Sequence, residues 1–231
     1  MFRLLLAIVL LVSTHLSQSD TICILVYDTD NKTFLLKEGS CDQPISPAST
    51  FKIPLSLIGY DSGYLTDTDL PELPFRADYP ASLASHKHDT SPAYWMKNSV
   101  VWYSQLMTEW LGIKRLSHYV EAFDYGNKDL SGDPGKHNGL TRAWLGSSLK
   151  ITPLQQLSFL QKLLDRDLPV KEEAYEYTEQ LLKQDATNNP YDMAKREQPV
   201  QQLIKTARNK KTGRLAGLFA GYRSRIKSIF L

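Results

Sequence analysis

Residues Ser49-Thr50-Phe51-Lys52 stand at the entry to an apolar run, Ile53-Pro54-Leu55-Ser56-Leu57-Ile58, and this junction constrains the chain more than any other. The run reads as a helix entered from Pro47. A spacing of three then puts the Ser49 hydroxyl and the Lys52 amine on one helix face, a single turn apart. Serine is a weak nucleophile at its own pKa and must give its proton to a base within hydrogen-bond reach. A lysine serves as that base where its surroundings keep the amine neutral, or where something converts it into an anion. An S-x-x-K tetrapeptide by itself is a loose motif, so the weight falls on what accompanies it.

Four further segments accompany it in order: Asn98-Ser99-Val100-Val101-Trp102, then Tyr125-Gly126-Asn127, then Trp144 ahead of Leu145-Gly146-Ser147-Ser148-Leu149-Lys150, and late in the chain Lys211-Thr212-Gly213. Together these resemble class D (oxacillinase-type) serine β-lactamases and, more distantly, penicillin-binding transpeptidases. The resemblance runs from about residue 23 to about residue 182, is carried by residues 47–56, 99–105 and 123–151, and fades beyond 185. It implies an α/β (α+β) fold in which a helical lobe packs on an antiparallel sheet. In the family that sheet is completed by C-terminal strands. Only 18 residues follow Gly213 here, so the expected sheet is incomplete, with at most one strand at residues 215–220.

The resemblance also implies roles. Ser49 is the nucleophile that forms an acyl-enzyme with a β-lactam. Lys52 is the general base, carrying CO2 as an N6-carboxylysine carbamate, with no metal and no other cofactor. Trp144 resembles the tryptophan whose indole N–H holds that carbamate, and an indole N–H is a donor only. Ser99 resembles the residue that passes a proton to the departing lactam nitrogen, and Val101 belongs to the apolar wall beside Lys52. Lys211, Thr212 and Gly213 match the family's K-T-G for the substrate carboxylate, although Lys210 stands where the family has glycine. The oxyanion donor that comes after K-T-G falls on Arg214 or Leu215. Asn127 reads as structural, with Gly126 permitting a tight turn. The function implied is β-lactam hydrolysis. The alternatives are a penicillin-binding protein that acylates without turnover and a truncated pseudoenzyme. On the tail as written, slow hydrolysis and an uncovered sheet edge are expected.

Along the chain, residues 21–28 and 33–38 read as a hairpin around Thr29-Asp30-Asn31-Lys32, with Cys23 near Glu38. Asp89-Thr90-Ser91-Pro92 reads as a helix start, with residues 94–103 helical after it. Residues 105–110 form a helical stretch closed at Gly112, and 114–123 an amphipathic one. Residues 128–138 are loop. Thr152-Pro153 opens a helix with Leu154, Leu157, Leu160, Leu163 and Leu164 on one side, and residues 172–183 form another. His86-Lys87-His88 reads as solvated loop, since no carboxylate or cysteine stands at ligand spacing.

With 231 residues, 42% of them apolar, the chain has ample core for one domain over residues 20–231. Its net charge of +2 gives no reason to expect nucleic acid as a partner. The charge is unevenly placed, however. Residues 185–231 hold ten Lys/Arg and three Asp/Glu, a net of +7, against −5 for the rest, which marks 185–231 as a divergent basic tail. Residues 1–19 read as a secretory signal: Arg3, an apolar run at 4–12, then small polar residues, with cleavage after Ser19 and Ser17 at the −3 position, the alternative being an uncleaved anchor. The run is too short to span a bilayer, so no stable membrane insertion is expected after cleavage. The expected compartment is the periplasm. There Cys23 and Cys41 either pair or sit as two small buried apolar side chains.

Overall fold

The computed structural model describes residues 23–29 and 31–183 in full, together with the backbone of Phe219–Gly221 and Ser228–Phe230. The proposed signal segment, Lys211, Thr212, Gly213, Arg214 and Leu215 lie outside the described residues.

The N-terminal hairpin forms as the sequence predicts. Strand β1 (Cys23–Asp28) and strand β2 (Thr33–Gly39) pair antiparallel. The register differs by one position from expectation, with Cys23 opposite Gly39. Asp28 receives the Asn31 backbone N–H and side-chain amide at 3.1 and 2.8 Å, which fixes the turn. Cys23 and Cys41 form a disulfide, with Cα atoms 4.9 Å apart. It ties the start of β1 to the segment just beyond β2.

At its C-terminal end the sheet differs from expectation, with two short strands where at most one was expected. Two short strands, β3 (Phe219–Gly221) and β4 (Ser228–Phe230), add to it in the order β2-β1-β4-β3, all neighbours antiparallel. Strand β1 is therefore interior, and Leu25, Val26, Tyr27 and Asp28 are all buried. Strand β2 lies at the described edge and is mostly exposed.

A short 3-10 turn at Ala48–Phe51 leads into helix α1 (Lys52–Asp61). Residues Ile53, Pro54, Leu55, Ser56, Leu57, Ile58, Gly59 and Tyr60 are all buried, so this helix is wrapped on every side. Pro54 is tolerated because it lies in the first turn, where its missing N–H has no helical partner to lose. Helix α2 (Pro92–Asn98) starts where expected: Ser91 accepts the Tyr94 N–H and Pro92 occupies the first turn. It does not run on to residue 103. Ser99 takes a left-handed conformation (φ 56°, ψ 44°), and helix α3 (Val101–Ala122) begins anew. Gly112 (φ 72°, ψ 162°) breaks α3 as the sequence predicts. A single turn α4 (Gly139–Arg142) comes after the loop at 128–138. Helix α5 (Pro153–Leu164) carries a reciprocal capping box between Thr152 and Gln155. Helix α6 (Glu172–Leu182) packs with α3 against α1. Inside the α1–α6 contact the Ser56 and Thr178 hydroxyls hydrogen-bond at 2.9 Å, and Tyr60 stacks on Tyr177. No helix among the described residues is long and apolar enough to cross a membrane.

Candidate active site

The nucleophile arrives on a strap, residues 41–48, laid along residues 144–154. Ile45 and Ile151 exchange both backbone hydrogen bonds, at 3.0 and 2.8 Å. Cys41 accepts the Leu154 N–H at 3.3 Å, and the Ala48 N–H donates to the Trp144 carbonyl at 3.0 Å. Ser46 Oγ donates to that same carbonyl at 2.7 Å and accepts the Gly146 N–H at 2.8 Å. Pro47 then closes the turn, accepting from the Thr50 N–H at 3.0 Å and the Thr50 hydroxyl at 2.6 Å. Ala48 sits at φ 47°, an uncommon value for a residue with a Cβ. The turn leaves Ser49 exposed and drives Phe51 into the core. There Phe51 stacks on Trp144 (centroids 5.2 Å apart, planes 22°) and meets Tyr125 edge-on at 5.6 Å.

Lys52, one turn on, is drawn inward. Its Nζ donates to the Met96 carbonyl at 2.6 Å. That carbonyl belongs to the last turn of α2, whose C=O groups lack helical partners, so the amine satisfies a group the helix leaves open. Burial lowers the Lys52 pKa from 10.5 to about 8. About a tenth of the amine is then neutral at pH 7, roughly 300-fold more than for an exposed lysine.

The break between α2 and α3 brings in the second hydroxyl. With Ser99 left-handed and Val100 extended (φ −70°, ψ 104°), the Ser99 Oγ donates to the Ser49 Oγ at 2.8 Å. An uninterrupted helix through this stretch would carry Ser99 along its own axis instead. Val101, half-buried, opens α3 directly beyond. Of the predicted site residues, then, Ser49, Lys52, Ser99 and Val101 sit around the two helix starts, and Trp144 backs the turn from the other side. Lys211, Thr212 and Gly213 fall outside the described residues.

Asn127 is structural. Its side chain accepts the Asp129 and Lys150 N–H groups at 3.2 and 2.9 Å and donates to the Ser148 carbonyl at 2.9 Å. Gly126 (φ 59°) lies against the Lys150 carbonyl, where a Cβ has no room. This junction holds 148–150, the far end of the segment that carries Trp144.

One reading is corrected. His86 is 5% exposed, and both its ring nitrogens are buried without a hydrogen-bond partner among the described residues. The backbone explains its position: the His86 carbonyl accepts the Trp102 indole N–H at 2.8 Å, which pulls the residue inward. Lys87 and His88 are exposed as expected, with His88 stacked on Tyr94 at 4.6 Å. Among the described residues no cluster of three or more His, Cys, Asp or Glu side chains is placed to hold a metal. Sequence reasoning missed Ser46 and the Met96 carbonyl, since neither carries a motif and both act through partners distant in sequence.

Two facing hydroxyls on the starts of two helix segments, with a buried amine one turn on, form the candidate site. The family profile described as penicillin binding protein transpeptidase domain matches residues 22–228, so the likeness extends into the basic tail. β-Lactamase OXA-9 of Klebsiella pneumoniae is 43% identical over 155 residues, covering 67% of this chain and 57% of that protein. β-Lactamase OXA-1 of Escherichia coli is 40% identical over 171 residues, covering 72% and 60%. The chain thus spans under two thirds of the length of these curated relatives. The crystal structure of the class D β-lactamase OXA-427 superposes with a TM-score of 0.72 at 41% identity, over 90% of this chain and 86% of that one. The chain belongs to the penicillin-binding transpeptidase domain family and, within it, to the class D β-lactamases.

Proposed function

We propose that this chain hydrolyses β-lactam antibiotics through an acyl-enzyme on Ser49. The observation that carries the reading is the 2.8 Å contact between the Ser99 and Ser49 hydroxyls, with a buried, partly neutral Lys52 three residues on from Ser49. The Lys52 amine, when neutral, adds to CO2 and loses a proton to solvent, giving an anionic carbamate. Trp144, already packed behind the turn, is the assigned donor to it. The carbamate takes the Ser49 proton as Oγ attacks the lactam carbonyl. When the C–N bond breaks, Ser99 passes a proton to the departing nitrogen and takes back, from the protonated carbamate, the one that came from Ser49, which restores the carbamate anion. The carbamate then removes a proton from water, which attacks the ester, and passes that proton to Ser49 Oγ as the opened product leaves. Val101 walls the apolar side, and Lys211, Thr212 and Gly213 receive the substrate carboxylate. Residues 1–19 direct the chain to the periplasm, a compartment in keeping with the Cys23–Cys41 disulfide.

The test is intact-protein mass after mixing with benzylpenicillin, together with nitrocefin turnover. Ser49→Ala is expected to lose both the penicilloyl adduct and turnover. A stoichiometric adduct persisting in that variant rejects Ser49 as nucleophile. A trapped adduct on the parent chain without turnover makes it a non-hydrolytic penicillin-binding protein.

A further inference from the structure

We propose that Ser46 is a positioning residue for this reaction, acting through Trp144 on the seat of Ser49 and Lys52; this rests on the acyl-transfer reading above. Ser46 uses both sides of its hydroxyl, donating to the Trp144 carbonyl at 2.7 Å and accepting the Gly146 N–H at 2.8 Å. Both partners lie about a hundred residues away, on the segment whose indole packs against Phe51 between Ser49 and Lys52.

The backbone cannot do this work alone. The strap pairs with the 144–151 segment through Ile45 and again through the Ala48 N–H. Between them stands Pro47, which has no N–H to give. The Ser46 hydroxyl supplies the missing rung from the side chain. The rung matters because the strained turn lies two residues beyond it. Ala48 is left-handed at φ 47°, a strained conformation kept only where neighbours over-determine it. The Trp144 carbonyl, accepting from both Ser46 Oγ and Ala48 N, is the anchor common to the strained residue and the indole. With the hydroxyl gone, the strap and Trp144 are free to shift relative to each other. That displaces Ser49 relative to its base and the indole relative to Lys52, without touching either residue directly.

The experiment compares the full chain with Ser46→Ala, Ser46→Val and Ser46→Thr. It measures single-turnover acylation by benzylpenicillin and the bicarbonate concentration giving half-maximal turnover, with rates normalised to the folded fraction from near-ultraviolet circular dichroism. The expected result for Ala and Val is a fall of about 10- to 100-fold in the acylation rate constant, the scale of a misplaced reacting group. Initial substrate affinity stays within about twofold, and the bicarbonate requirement rises several-fold, on the order of one mislaid hydrogen bond. Thr, which keeps the hydroxyl, is expected to restore both values, a rescue that packing alone does not produce because Val shares its shape. Ala and Val variants with parental rate and bicarbonate dependence overturn the positioning role and leave the functional reading standing. A parent chain that forms no adduct overturns both.

Discussion

At the scale of the residue, the site depends on how Lys52 is held. Its pKa stands at about 8 in the folded chain and near 10.5 when unfolded. Between those values the unfolded state binds more protons, so this group makes stability rise with pH across that window. The whole difference is about 3 kcal/mol, and below pH 8 it acts as a constant burden on the fold. In CO2-free buffer, Lys52→Met is therefore expected to be more stable than the parent in urea at pH 7, with the gap narrowing by pH 10. A gap that does not change with pH counts against a buried amine. Activity carries its own sign: it is expected to fall under acid, as the carbamate releases CO2, and to recover with added bicarbonate. Kinetics indifferent to bicarbonate, with no carbamate signal by carbon NMR, reject the carboxylated base.

At the scale of the element, positions that carry a motif could be placed from sequence and positions that answer a distant partner could not. The Ser91–Pro92 start, the Thr152–Pro153 start and the break at Gly112 arise from local chemistry, and all three are where the sequence puts them. The end of α2 is different. Residues 94–103 carry helix-compatible side chains, and only the meeting of Ser99 with Ser49, 50 positions away, reveals why the helix stops. His86 departs from its sequence reading at a position whose backbone carbonyl answers Trp102, 16 positions away. The Tyr125-Gly126-Asn127 turn lies between these cases: its tightness is legible in the sequence and its grip on 148–150 is not. Gly126→Ala forces a Cβ against the Lys150 carbonyl at a positive φ. It is expected to cost on the order of 1–3 kcal/mol in urea unfolding and to slow acylation through the displaced Trp144 segment. A variant as stable and as active as the parent shows that this turn is not part of the support.

At the scale of the whole molecule, the sheet is assembled from both ends of the chain, with β1 between β2 and β4. The Cys23–Cys41 disulfide fastens β1 to the strap that carries Ser49. Replacing both cysteines by serine is expected to lower unfolding free energy by about 3 kcal/mol, the scale for closing so short a loop. Denaturant melts with and without reductant check this, and a parent chain insensitive to reductant counts against it. The strap's contacts also set an order of events during synthesis. The two cysteines are 18 positions apart, so they can meet once the first stretch of chain emerges. Ser46 has to wait for partners 98 and 100 positions further on. Contacts of such long sequence separation form late because the intervening loop must close first. A nascent chain halted before residue 144 would therefore hold its S-x-x-K motif, yet be chemically mute.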